Sequence, residues 1–134
     1  MSLARIIVPV LAVVTLVGCG PSTLQPTTAS VQAVVLGPYC ATRECHAQPE
    51  PQEGLDFTSV ASLKATAIGV APQVGNAAAI YPAIIDPGNP DGSFLIAKVT
   101  EPGVEQGLAM PPTDQQLTDE TVAVLRQWIT ELQP

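Results

Sequence analysis

Fourteen prolines are spread over 134 residues, and they limit what this chain can build more than any other feature. Proline has no backbone N–H, and its ring collides with the preceding helical turn. Each one therefore ends or kinks a helix, and none is welcome inside a sheet. A long element is possible only in a proline-free stretch, of which 113–133 is the clearest in the body of the chain. Material for a core is scarce as well, because Tyr39, Phe57, Tyr81, Phe94 and Trp128 are the whole aromatic content. Short helices, long loops and a thin core describe a domain that gains from enclosing further apolar material. Long irregular loops in a compact domain commonly do this.

Composition narrows the class. With 46% hydrophobic and 13% charged residues the chain is not an acidic disordered polymer, which would combine high charge with low hydrophobicity. Five Lys and Arg against 12 Asp and Glu give a net charge of −7, and such a surface repels phosphate backbones, which excludes nucleic-acid binding. The length suits one domain, and no internal repeat is visible.

The start of the chain reads as a targeting segment. Arg5 precedes the apolar run Ile6 to Val17, whose helical length of about 18 Å falls short of a bilayer core of roughly 30 Å. Such a run is the layout of a secretory signal. It ends in Leu16-Val17-Gly18-Cys19, which resembles the bacterial lipobox, whose cysteine is acylated and becomes the first mature residue. The expectation is a signal peptide over 1–18, a lipidated Cys19, and a flexible Pro/Ser/Thr-rich tether over 19–30. The folded domain would then span 31–134 in the cell envelope, lipid-anchored to a membrane and facing the periplasm or the outside. That compartment is oxidising.

Within 31–134 the pattern predicts about four short helices. Val31, Val34 and Val35 mark the first, stopping near Gly37-Pro38. Asp56 or Thr58 caps the second, with Val60, Leu63 and Ala67 on one side. From Gly69 to Gly88 the chain reads as loop with an extended piece at Ala83 to Ile85, and Asn89-Pro90 opens a third helix through Val99. After a loop to Gln116, Thr118 caps the last helix, whose stripe is Val122, Leu125, Ile129 and Leu132, with Trp128 on its border against the first helix.

One motif carries chemistry. Cys40-Ala41-Thr42-Arg43-Glu44-Cys45-His46 has the two thiols and the adjoining imidazole of a haem-attachment site, with four residues between the cysteines where the common signature has two. His46 is the sole histidine, and Met110 is the sole methionine besides the initiator. An electron-transfer haem takes an imidazole on one face and a thioether on the other. Met110 sits in the stiff Ala-Met-Pro-Pro loop before the last helix. On residue chemistry alone other uses stay open. Cys40 and Cys45 could close a local disulfide, Met110 could be a packing residue, and two thiols with one imidazole are an incomplete zinc set.

Over 31–134 the chain resembles the class I cytochrome c family, and more narrowly cytochrome-c-like domains of bacterial lipoproteins that use a C-x4-C-H motif. A first helix leads into Cys40–His46; Gly54-Leu55-Asp56-Phe57-Thr58 follows; then come Pro87-Gly88-Asn89-Pro90 through Ser93, the Met110-Pro111-Pro112 loop, and a closing helix carrying Leu125-Arg126 and Trp128-Ile129. The resemblance implies an all-α cytochrome c-like fold of short helices joined by long Pro/Gly-rich loops around a haem pocket. It implies one covalent haem c, with Cys40 and Cys45 as attachment residues, His46 as proximal and Met110 as distal iron ligand. Pro49 and Pro51 are the candidates for the carbonyl that orients the axial imidazole. The implied activity is single-electron transfer by a monomer between periplasmic or membrane redox proteins, without catalysis and without a nucleic-acid partner. A small haem peroxidase or sensor, and a haem-free interaction module with a Cys40–Cys45 disulfide, are the rivals.

Overall fold

The structure, a computed structural model, describes residues 23–100, 103 and 107–133. Among the described residues it is helical, with no strand beyond isolated bridges. The expected signal peptide, Cys19 and the start of the tether lie outside the described residues, and no helix among the described residues is long and apolar enough to cross a membrane.

Three segments, α1 (Thr28–Val31), a π-helical turn (Gln32–Leu36) and α2 (Gly37–Tyr39), follow without a break. The expected stop near Gly37-Pro38 is therefore corrected: the helical path reaches Tyr39. In the widened turn the Gly37 N–H bonds the Gln32 carbonyl five residues back. Pro38 follows as the second residue of α2. Val31, Val35 and Leu36 face the core. The helix also begins earlier than the assigned domain boundary. Thr27 caps it, Leu24 packs on the core, and Trp128 Nε1 donates to Thr28 Oγ1 at 3.1 Å, so 23–30 belongs to the fold and not to a loose tether.

A 3-10 turn (Gln52–Gly54) separates the Cys/His loop from α3 (Val60–Thr66). Ser59 caps α3 in a reciprocal box with Ser62, in place of the expected Asp56 or Thr58. Asp56 is engaged elsewhere, accepting from the Thr58 N–H and hydroxyl and from Gln48. Residues 83–85 are extended as expected, clamped between the end of α3 and the start of α5 by bonds such as Ile84 N–H to the Val70 carbonyl (2.7 Å) and Leu95 N–H to the Ile84 carbonyl (2.8 Å). A short α4 (Ala77–Ile80) forms in the stretch expected to be loop, because three consecutive alanines carry high helix propensity into a single turn.

The next helix, α5 (Phe94–Val99), starts four residues after Pro90 and not at it. The preceding segment is a side-chain-built turn: Asn89 accepts from the Gly92 N–H and donates to Asp86, and the buried Ser93 hydroxyl bonds both the Asp86 N–H and the Asn89 carbonyl. Gly88, at φ +80, donates its N–H to the Ile129 carbonyl at 2.8 Å, a carbonyl near the end of α6 that also accepts from the Leu132 N–H.

The last helix, α6 (Asp119–Glu131), is the longest among the described residues and matches its sequence closely. Thr118 accepts from the Thr121 N–H, Asp119 and Glu120 occupy the positive first turn, and Leu125, Trp128 and Ile129 are buried. It packs against α1 and α5. One continuous core joins these three helices to Phe57, Leu63 and Ile85.

Candidate functional site

The Cys/His loop is shaped by its backbone. The Cys40 N–H closes the preceding helix on the Leu36 carbonyl (2.9 Å), Cys45 N–H turns back to the Thr42 carbonyl (3.0 Å), and His46 N–H bonds the Cys40 carbonyl (3.1 Å). The four residues between the thiols thus form a compact loop tied at its base. Beyond it, Gln52 N–H reaches the Cys45 carbonyl (2.7 Å) and Phe57 N–H the His46 carbonyl (2.9 Å), which locks the segment 45–57 onto itself. Gln32 reaches across from the π-helical turn and donates to the Phe57 and Thr58 carbonyls, both at 3.2 Å, so the helix before the motif is tied to the chain after it.

His46 is half-buried, and its ring is fixed on two sides. Nδ1 lies 3.1 Å from the Gln52 carbonyl oxygen, which can only accept, so Nδ1 carries the proton and Nε2 keeps its lone pair. The ring stacks obliquely on Phe57 with centroids 5.0 Å apart. Burial pushes the imidazole pKa down, opposed by the carbonyls of Gln52 and Leu55 and by the Glu53 carboxylate, and Lys98 lowers it slightly further. The group is therefore a neutral, oriented nitrogen donor. The orienting carbonyl belongs to Gln52 and not to Pro49 or Pro51, which corrects the expectation.

Met110 is positioned from the other side. Its N–H donates to the Lys98 carbonyl at 2.8 Å, which pins the Met110 loop to the end of α5. The Lys98 ammonium donates to the Leu108 carbonyl and lies 5.8 Å from the Phe94 ring centre. Gln116 holds the loop beyond, donating to the Pro111 and Thr113 carbonyls at 2.9 and 2.8 Å.

His46 and Met110 line one cavity of about 280 Å³. Cys40 forms part of its wall, with Phe57, Ile84, Phe94, Leu95 and Val99 supplying apolar surface, and Gln52, Glu53 and Lys98 its polar edge. A neighbouring cavity of about 240 Å³ shares Leu55, Val74, Ile84 and Phe94 with it. Of the predicted site residues, then, Cys40, His46 and Met110 are brought together. Cys45 is half-buried and is absent from the cavity wall. Cys40 and Cys45 are both thiols. Burial, and secondarily the nearby Cys45, push the Cys40 thiol up to about 12, so it stays protonated. Arg126 pairs with Asp91 and Trp128 lies under α1, so neither reaches the cavity.

The residues fit an iron porphyrin in donor chemistry: one oriented imidazole, one thioether and one thiol open into an apolar cavity. They do not fit zinc, since among the described residues no three His, Cys, Asp or Glu gather into a metal-binding group. Sequence reasoning missed Gln52, whose contribution is a backbone carbonyl and leaves no side-chain signal. It also missed Lys98, whose position at the end of α5, opposite the Met110 loop, depends on tertiary packing. Comparison of the chain with protein-family models, curated proteins and solved structures returns no match.

Proposed function

We propose that this protein is a membrane-tethered monohaem c-type cytochrome, a single-electron carrier of the bacterial cell envelope with the cytochrome c fold. The observation that carries the proposal is the convergence of its sole histidine and its sole non-initiator methionine on one apolar cavity beside a motif cysteine. His46 and Met110 would hold the iron, and the Cys40–His46 motif would hold the porphyrin covalently. When bound, the haem supplies a one-electron couple. The chain's own residues do the rest. Gln52 fixes the imidazole tautomer and so its donor strength. The Lys98 carbonyl fixes the Met110 backbone. The apolar wall keeps water from the site, which together with a thioether ligand favours the reduced state. With His46 and Met110 as the two residues that would hold the iron, no position would be left for a small-molecule substrate, and the protein would act on redox partners.

The test is production in cells with active cytochrome c maturation, followed by spectroscopy of the Met110→Ala variant. The expected result is a haem signal that survives denaturing electrophoresis, and a Met110→Ala protein with an altered reduced spectrum and a lower potential. Haem that persists with an unchanged spectrum in Met110→Ala would remove Met110 as a ligand and favour an open distal face, as in a sensor or small peroxidase.

A further inference from the structure

Only one of the two motif sulfurs belongs to the cavity, and the loop between them explains why. Cys40 sits at the end of the first helical segment, is 8% exposed, and forms part of the wall that His46 and Met110 also line. Cys45 ends the turn that begins at Thr42, with its N–H on the Thr42 carbonyl, and contributes nothing to that wall. A two-residue spacer would bring both sulfurs beside the imidazole. Four residues instead allow the intervening loop to close on itself through the Cys45–Thr42 and His46–Cys40 bonds, and the half-buried second cysteine is left out of the cavity wall.

Resting on the haem-binding reading above, we infer that the porphyrin is attached through a single thioether from Cys40, and that Cys45 remains a free thiol. The chemistry balances without any oxidant: the Cys40 S–H adds across one haem vinyl group, a carbon–sulfur bond forms, the proton ends on the neighbouring vinyl carbon, and no electrons are exchanged. The second vinyl group stays unsaturated.

The test uses the full chain, matured in cells, in three forms: wild type, Cys40→Ala and Cys45→Ala. Denatured wild-type protein is treated with a thiol-alkylating reagent and mapped by peptide mass spectrometry, and the absorption of its pyridine haemochrome is recorded. The expected result is one haem per chain on the Cys40 peptide, one alkylated thiol at Cys45, and a reduced band between those of haem with two saturated vinyl groups and haem with none. Cys45→Ala keeps covalent haem, and Cys40→Ala releases it on denaturation. Haem joined to both peptides, or retained by Cys40→Ala, overturns the inference while leaving the carrier reading intact. Absence of haem from every form overturns both.

Discussion

At the residue scale the account turns on small polar bonds that hold large groups in place. Asp56 is the clearest case. Its carboxylate accepts from the Thr58 hydroxyl at 2.6 Å, from Gln48 at 2.8 Å and from the Thr58 N–H at 2.9 Å. These bonds favour the charged form and hold its pKa down at about 2. A depressed folded pKa stabilises above the unfolded value near 4 and is lost as the pH falls towards 2. Asp56→Asn is expected to lower stability by about 1.5–3 kcal/mol at neutral pH, as loss of charge-assisted hydrogen bonds does. In urea unfolding the gap from wild type should shrink between pH 4 and pH 2; a constant gap over that range would contradict the assignment. Glu53 is the converse, a non-glycine residue at φ +55 on the cavity edge. Left-handed backbone costs a side chain about 1 kcal/mol, so Glu53→Gly should leave stability unchanged or raise it by up to that amount in the same assay.

At the scale of elements, the segment that delivers Cys40 depends on one glycine. A Cβ on Gly37 would lie 2.9 Å from the Gln32 carbonyl oxygen, which is backbone and cannot swing away. Gly37→Ala should therefore cost about 1–3 kcal/mol, read as a lowered thermal midpoint, and should loosen the helix just ahead of the motif. At the other end of the chain, Thr118→Ala removes the N-cap of α6 and should cost about 1 kcal/mol. These two helices also show what a sequence can reveal. The last helix was legible down to its cap because its signals are local: a threonine, two acids and an apolar stripe. The first runs one residue past the Gly37-Pro38 stop that the sequence suggests, since nothing local announces the π-helical turn that precedes Pro38. The third was started too early at Asn89-Pro90, where side-chain bonds among Asp86, Asn89 and Ser93 compete successfully with helix. At the site, the sequence points to the sole histidine, the sole non-initiator methionine and the motif cysteine Cys40, which the fold brings to one cavity. Gln52, Lys98 and the absence of Cys45 from the cavity wall are not legible there, since each follows from how the chain folds back.

At the scale of the whole molecule, the described core is a single cluster around α1, α5 and α6, with the cavity walled by Phe57, Ile84 and Phe94 at its side. On the proposed reading, a flat macrocycle in that cavity would cover apolar surface that the sparse aromatic content leaves open, at about 25 cal/mol per Å² removed from water. Protein made without cytochrome c maturation should accordingly unfold on the order of 10 °C below the matured form in a calorimetric scan, since a group bound only by the native state stabilises it. Equal midpoints would mean that the cavity holds nothing of structural weight. If the protein is the proposed carrier, its acidic charge, −7, would favour redox partners with basic surfaces and make their association rate fall with salt. The central claim is that His46 and Met110 hold one iron. The most direct measurement is the near-infrared magnetic circular dichroism of the oxidised, matured protein, which distinguishes a histidine–methionine pair from other axial ligands. The account predicts the histidine–methionine signature in wild type and its loss in Met110→Ala; a colourless protein, or a matured one without that signature, would contradict it.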